Sequence, residues 1–224
     1  MAYFRILISI SLCSLLVSSA AFAQWEKVGE KAGVVIYEKN IENSSLVAFR
    51  GEGTVNAPLL RVASVMFDSV RAKEWVPNLG ETLILKWYSP TEFLEYDHVK
   101  TPFILKDRDF ISKVKMDYDK MKKQISFVYE NADPSQAPED LRSTNYVRGY
   151  LNGTLFHLTS TNNDTKTFVE GEVYGDPKGS VPKWIVNMFQ KDWPVATFVN
   201  LRKQVAKPDI ANHPKMLELM GIQE

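Results

Sequence analysis

The mature part of the chain alternates apolar and polar positions in short runs, which is the signature of strands half-buried in a sheet. Val34–Lys39, Leu46–Val55, Leu83–Tyr88, Phe93–Val99, Arg108–Tyr118 and Gln124–Glu130 are each rich in β-branched or aromatic residues and bounded by turn-formers. Two longer runs follow, Ser143–Thr159 and Lys166–Tyr174, separated by the turn cluster Thr161-Asn162-Asn163-Asp164. Connections this short favour antiparallel pairing, because parallel crossovers need a dozen or more residues. The period changes twice. After Pro58, the residues Leu59, Leu60, Val62, Ala63, Met66 and Phe67 repeat at helical spacing. From Val181-Pro182 towards Val205 a long helix is predicted, with Trp184, Ile185, Met188, Val195, Phe198 and Val199 along one side. Asp192 interrupts that stripe and Pro194 removes a backbone donor, so a kink or break is expected around Gln190–Pro194. A last amphipathic piece, Met216–Met220, follows His213-Pro214. The sum is an α+β fold in which a curved antiparallel sheet closes on a long helix.

The first residues belong to a different pattern. Arg5, the apolar run Ile6–Val17 and the small-x-small triplet Ala21-Phe22-Ala23 compose a secretory signal peptide, cleaved after Ala23. The alternative is an uncleaved anchor, for which Ile6–Ala23 lies at the short edge of a spanning helix. Its Ser/Ala-rich second half fits cleavage better. Export to a periplasm, or secretion in a host without one, is therefore expected. The domain plan is a leader over residues 1–23, one domain over 24–206 and a short helical tail over 207–224. No Gly/Ser linker or internal repeat divides the chain.

Composition narrows the function classes. Of 224 residues 45% are hydrophobic and 24% charged, which describes a folded protein and not a disordered or disulfide-stapled one. Lys+Arg and Asp+Glu both number 27. A neutral balance gives no electrostatic reason to expect a nucleic-acid partner. The single cysteine, Cys13, lies inside the leader, so the mature chain has no thiol for a disulfide, a metal or a nucleophile. The triplets at Asn43, Asn152 and Asn163 match the glycosylation pattern, at a frequency chance alone explains. His98, His157 and His213 are scattered without metal-ligand spacing, and no Gly-x-Ser-x-Gly elbow or phosphate loop occurs. No metal or cofactor is expected. His98 beside Asp97 and Glu95 forms one weak acid/base cluster, whose plain reading is a strand's wet edge.

Several stretches taken together resemble one family. Trp25 and Gly33-Val34-Val35-Ile36-Tyr37 open the domain, followed by Phe49-Arg50-Gly51-Glu52-Gly53 and Glu74-Trp75. Pro102 and Lys106-Asp107-Arg108-Asp109-Phe110-Ile111 come next, and the series closes with Gly175-Asp176-Pro177-Lys178-Gly179-Ser180-Val181-Pro182-Lys183-Trp184-Ile185-Val186-Asn187. In order and spacing this is similar to the START family, the steroidogenic-acute-regulatory-related lipid transfer domains, over the mature chain to Ala206. The resemblance implies the helix-grip fold, with a hydrophobic tunnel between sheet and C-terminal helix. It also implies non-catalytic binding and transfer, or sensing, of one lipid such as a sterol or phospholipid, with transient membrane contact, by a monomer. Two rivals stand beside that reading: a helix-grip enzyme acting on a hydrophobic substrate, and a structural or partner-binding module whose tunnel its own aromatics fill.

Strand parity supplies the tunnel candidates. Arg108 shares a side with Phe110, Ser112, Val114 and Met116, a face apolar enough to be internal, where an arginine needs a carboxylate or a bound anion. Glu95 on the preceding strand is the expected partner; a structural ion pair and a ligand contact are both open. Sterol-carrying relatives place a base six residues beyond that arginine, and Val114 stands there in this chain. Tyr146, Arg148, Tyr150 and Asn152 form a second same-face set, read either as headgroup contacts or as a solvated edge. Trp184, Met188 and Phe198 are the expected inward positions of the long helix. Trp193 beside Pro194 is the candidate membrane-facing aromatic, and Asn131–Leu141, with Pro134 and Pro138, the candidate lid.

Overall fold

The computed structural model describes residues 24–101, 105–142 and 144–223; the predicted leader and Cys13 lie outside them. Strands β1 (Glu26–Lys31), β2 (Val34–Asn40) and β3 (Val47–Val55) form an antiparallel meander. Helix α1 (Leu59–Phe67) then leads into β4 (Leu79–Ser89), β5 (Glu92–Val99), β6 (Arg108–Asp119) and β7 (Gln124–Asn131), a second meander. A short helix α2 (Glu139–Arg142) precedes β8 (Val147–Arg148), β9 (Tyr150–Thr161), β10 (Lys166–Val173) and β11 (Gly175–Asp176). The chain closes with α3 (Lys183–Val205) and α4 (Pro214–Met220). The β9–β10 hairpin joins the two meanders, giving the order β1-β2-β3-β10-β9-β7-β6-β5-β4, with β11 on β9 and β8 parallel to β6. This is the expected α+β arrangement, a curved sheet wrapped around a long C-terminal helix.

The tight β9–β10 turn needs left-handed backbone, which Asn162, Asn163 and Asp164 supply at φ of 51°, 55° and 64°. Apolar residues on one face of the sheet, among them Phe93, Val114, Ile125, Phe127, Leu158 and Val169, pack with Val62 of α1 and Phe198 and Leu201 of α3. Helix α3 approaches β3 closely because Gly51 and Gly53 present no side chain. A Cβ on Gly51 would lie 2.5 Å from the Pro194 Cβ. Helix α3 runs through Pro194 without a break, in contrast to the interruption expected there. Pro194 is buried against β3, so the sheet holds the helix where its own hydrogen-bond ladder lacks a donor.

The C-terminal piece is packed onto the domain. Met216 is fully buried in the main core. Arg61 of α1 donates to the carbonyls of Val205, Lys207 and Ile210 at 2.7, 2.6 and 2.9 Å, so one guanidinium satisfies orphan acceptors at and beyond the end of α3. His213 caps α4 by accepting from the Lys215 amide at 3.0 Å.

Three sequence expectations shift. Strand β1 was not anticipated, because its Glu26–Lys31 positions are exposed or half-buried and show no alternation. The predicted Leu83–Tyr88 strand is the C-terminal half of β4 (Leu79–Ser89), whose register slips at three places and so breaks the period of two along it. The predicted run from 143 to 159 is interrupted, with β8 and β9 separated at Gly149.

Candidate functional site

Between the concave face and α3 lies an internal chamber in two parts. The inner part has a volume of about 180 Å³ and the outer part about 330 Å³. Val76, Val99, Phe110, Leu151, Val173 and Trp193 line both, so the two parts adjoin at a waist formed by these side chains. Together they fall within the range of roughly 300–1,000 Å³ that small-molecule sites occupy. The outer part opens between the N-terminal half of α3 (Ile185, Val186, Phe189), the Val76–Asn78 loop and the Lys100–Thr101 turn.

The inner end is polar in a specific way. Glu95 and Asp97 sit two residues apart on β5 and share the face of Phe93 and Val99, so both carboxyls enter the inner chamber. The two carboxyls are close enough to act on each other, and Thr82 of β4 stands opposite Asp97 in the sheet. Burial pushes Asp97 up to about 6. Burial, reinforced by the neighbouring Asp97, pushes Glu95 well above the usual carboxylate range. Tyr129 of β7 lines the same wall, and burial followed by the charge of Glu95 and Asp97 raises its hydroxyl well above 10. Among the described residues lining the inner chamber there is no Lys, Arg or His. Trp75 Nε1, Thr154 Oγ1 and Thr197 Oγ1 belong to lining residues and have no protein partner although buried.

The predicted site residues separate into two groups. Glu95, Arg108 and Phe110 line the chamber. Arg108, however, does not pair with Glu95. The register sets Arg108 opposite Val99 and Glu95 opposite Ser112. The guanidinium is buried and its charge is disfavoured by that burial. It donates from Nε to the carbonyl of Pro177 at 3.2 Å, from Nη2 to that of Lys178 at 3.3 Å, and from Nη1 to that of Lys106. The Asp-Pro-Lys-Gly turn, with Lys178 and Gly179 at φ of 50° and 69°, folds its carbonyls around Arg108, which explains why those two stretches go together.

Tyr146, Arg148, Tyr150, Trp184, Met188 and Phe198 do not line the chamber, and each departure has a local cause. The register of β9 against β7 steps from Tyr129↔Thr154 to Glu130↔Asn152, leaving Gly153 as the extra residue of a bulge at φ of 96°. The bulge inverts parity, so Leu151 faces inward and Tyr150 lies on the other face, under Lys178. Arg148 is engaged outside the sheet with fully buried Asp109, at 2.7 and 3.0 Å, and donates to the Leu141 carbonyl at 2.7 Å. Tyr146 stacks on His98, with ring centres 4.2 Å apart, and His98 bonds Asp107 at 2.8 Å. Strand alternation thus takes His98 away from Glu95 and Asp97 and dissolves the expected acid/base cluster.

On α3 the inward stripe is offset from the predicted one. Ile185, Phe189 and Trp193 face the chamber, while Trp184 and Met188 are 67% and 45% exposed. Trp193 is therefore a chamber residue, 5.8 Å from the Phe156 ring, and not the membrane-facing aromatic it was expected to be. Phe198 is buried over Gly51 and Gly53 and forms core. Residues 131–141 are not a lid. Ala132, Ala137 and Leu141 cover Leu94, Tyr96 and Ile111 on the outer face of the sheet. Tyr129, Thr154 and Thr197 carry no mark in the sequence pattern, and Asp97 enters it only beside His98, as a strand's wet edge. The Phe93-x-Glu95-x-Asp97-x-Val99 alternation was the available signal for Asp97.

A family model for the START domain matches residues 14–207. An uncharacterised protein of Pseudomonas aeruginosa is 23% identical over 189 residues, covering 84% of this chain and 90% of its own. The crystal structure of human STARD10 superposes with a TM-score of 0.73 at 21% identity, over 82% of this chain and 74% of that one. The STAR-related lipid transfer protein of Xanthomonas axonopodis (fragment 25–204) gives 0.70 at 23% identity, over 82% and 99%.

Proposed function

The chain belongs to the START-domain family, and on that premise we propose that it binds one lipid or lipid-like molecule in the two-part chamber and carries or senses it without chemical turnover. The observation that carries this reading is the chamber itself: an apolar passage under α3 that ends on a few convergent polar groups, Glu95, Asp97, Thr154 and Thr197. Each CH₂ moved from water into such a passage contributes about 0.8 kcal/mol, so an alkyl body supplies affinity and the polar end supplies selection. The START-related relative from Xanthomonas is described as a lipid transfer protein, which supports the same class. The exposed Trp184 and Met188, one turn apart beside the chamber-lining Ile185 and Phe189, support transient contact with a membrane surface during loading. With the leader removed, the protein works as an exported monomer, in the periplasm of a two-membrane host.

Transfer between donor and acceptor vesicles, followed with a labelled lipid, tests this function. Leu151→Trp fills the waist, and the reading predicts transfer at background for that variant with the fold retained by circular dichroism. Undiminished transfer through a blocked waist would refute carriage in the chamber. A second reading rests on the Glu95–Asp97 pair, because buried carboxyls with raised proton affinity also suit acid/base chemistry. Product formation from a bound hydrophobic substrate, lost in Glu95→Gln while uptake persists, would favour that reading.

A further inference from the structure

We propose that the ligand's polar end is a single cationic amine, so that the molecule carried is a hydrophobic amine seated with its nitrogen against Glu95 and Asp97. The inference deepens the lipid-chamber reading and rests on it.

Charge decides first. Glu95 and Asp97 place two carboxyls in an inner chamber whose described lining holds no cation, so any charge on the pair has no countercharge there. A buried charge without a partner is costly. A phosphate or carboxylate end would add repulsion, and a neutral hydroxyl would leave the charge uncompensated. One positive charge balances it.

Hydrogen-bond capacity decides second, on independent atoms. The hydroxyls of Thr154 and Thr197, 6% and 2% exposed, line the same inner chamber and have no partner in the protein. A primary ammonium carries three donors and no acceptor. Asp97 and the two threonine oxygens offer it acceptors, whereas an alcohol has one proton to give; the Trp75 indole N–H, also unpartnered, is a donor that the ammonium does not serve. The walls agree, since the aromatic residues Trp75, Tyr129 and Trp193 line this end, and aromatic faces attract cations.

The other groups facing the pair do not supply the missing charge. Strand β4 presents Thr82, β6 presents Phe110 and Ser112, β9 presents Thr154, and α3 presents Trp193 and Thr197. The one further titratable group is Tyr129 on β7, which is neutral across the range of interest. Arg108 belongs to the outer chamber and is occupied by three carbonyls.

The test titrates the mature protein with dodecylamine and with 1-dodecanol, two probes sharing one alkyl chain, by isothermal calorimetry below their aggregation limits. The amine, charged like lysine throughout this range, is expected to bind at least about 10-fold more tightly than the alcohol near pH 8, a difference of about 1.4 kcal/mol. That advantage shrinks near pH 4.5, where the carboxyl pair is protonated. The double variant Glu95→Gln/Asp97→Asn is expected to lose the preference and still take the alcohol. Equal binding of the two probes by the unaltered protein, or a preference that survives in the double variant, overturns the amine proposal and leaves the lipid chamber standing. Binding of neither probe overturns both. The two-probe comparison on the unaltered chain holds whether or not the variant folds.

Discussion

Replacing Arg148 by methionine separates a structural arginine from a ligand-binding one. Asp109 has 0% of its side chain exposed, and three of its bonds are known: Arg148 Nε at 2.7 Å, Arg148 Nη2 at 3.0 Å and the Thr144 hydroxyl at 2.7 Å. The substitution removes two of the three and the only countercharge among them. Breaking a buried ion pair from one side costs about 3–5 kcal/mol. The Arg148 side chain is 18% exposed, so water reaches the vacated position and the lower end of that range applies. In a chain of this length each kcal/mol lowers the melting temperature by about 2–4 °C, so a fall of about 6–12 °C is expected. Thermal unfolding followed by circular dichroism at pH 7 reads it, and lipid uptake measured well below the transition should be unchanged. Removing the acid as well, in Asp109→Leu/Arg148→Met, should recover much of the loss. A shift under 2 °C would refute the assignment of Asp109 as a buried charge that needs its arginine. Normal stability with lost uptake would return Arg148 to the ligand.

Gly51→Ala drives a Cβ into the Pro194 ring, and overpacking of this kind costs about 1–3 kcal/mol; a melting temperature equal to the parent's would show that α3 is not seated on β3 as described. Arg61→Met withdraws the donors serving the Val205, Lys207 and Ile210 carbonyls. Faster amide exchange across residues 207–220 is expected from it, and unchanged exchange would contradict that clamp. The carboxyl pair makes stability depend on pH. Raised native values mean that the folded protein holds more protons than the unfolded chain from near pH 4 upward, so stability falls as pH rises. For Asp97 the loss is complete above about 6, and Glu95 extends it to higher pH. Urea midpoints across that window should decline in the parent and flatten in Glu95→Gln/Asp97→Asn; parallel profiles would refute the buried pair.

Most of the architecture was legible because burial imposes a period. Strand β7 alternates at its start, β3, β5 and β6 stand out by their β-branched and aromatic content, and α1 carries its apolar face at helical spacing. Legibility failed where one residue changes the phase. Gly153 reverses the phase of β9, so plain alternation points Tyr150 inward where the structure places Leu151. On α3 the choice of stripe required knowing that the glycines of β3 draw Pro194 and Phe198 into the core, which rotates Trp184 and Met188 outward. Arg108 was rightly placed inside, but its partners are backbone carbonyls of a turn 69 and 70 residues away, and carbonyls leave no mark on a side-chain pattern. Asp97 belongs in the sequence to a cluster with His98 and Glu95 whose plain reading is a strand's wet edge, and only the sheet shows that Glu95 and Asp97 turn inward while His98 turns out.

Native mass spectrometry of the mature protein from a gently lysed host, with solvent extraction and identification of whatever is released, tests the central claim most directly. The account predicts a one-to-one adduct of a molecule with a long apolar body, and the amine proposal predicts a basic nitrogen at its polar end. A clean apo mass that incubation with mixed liposomes leaves unchanged would contradict carriage, and the chamber under α3 would then have to be explained as a property of the fold alone.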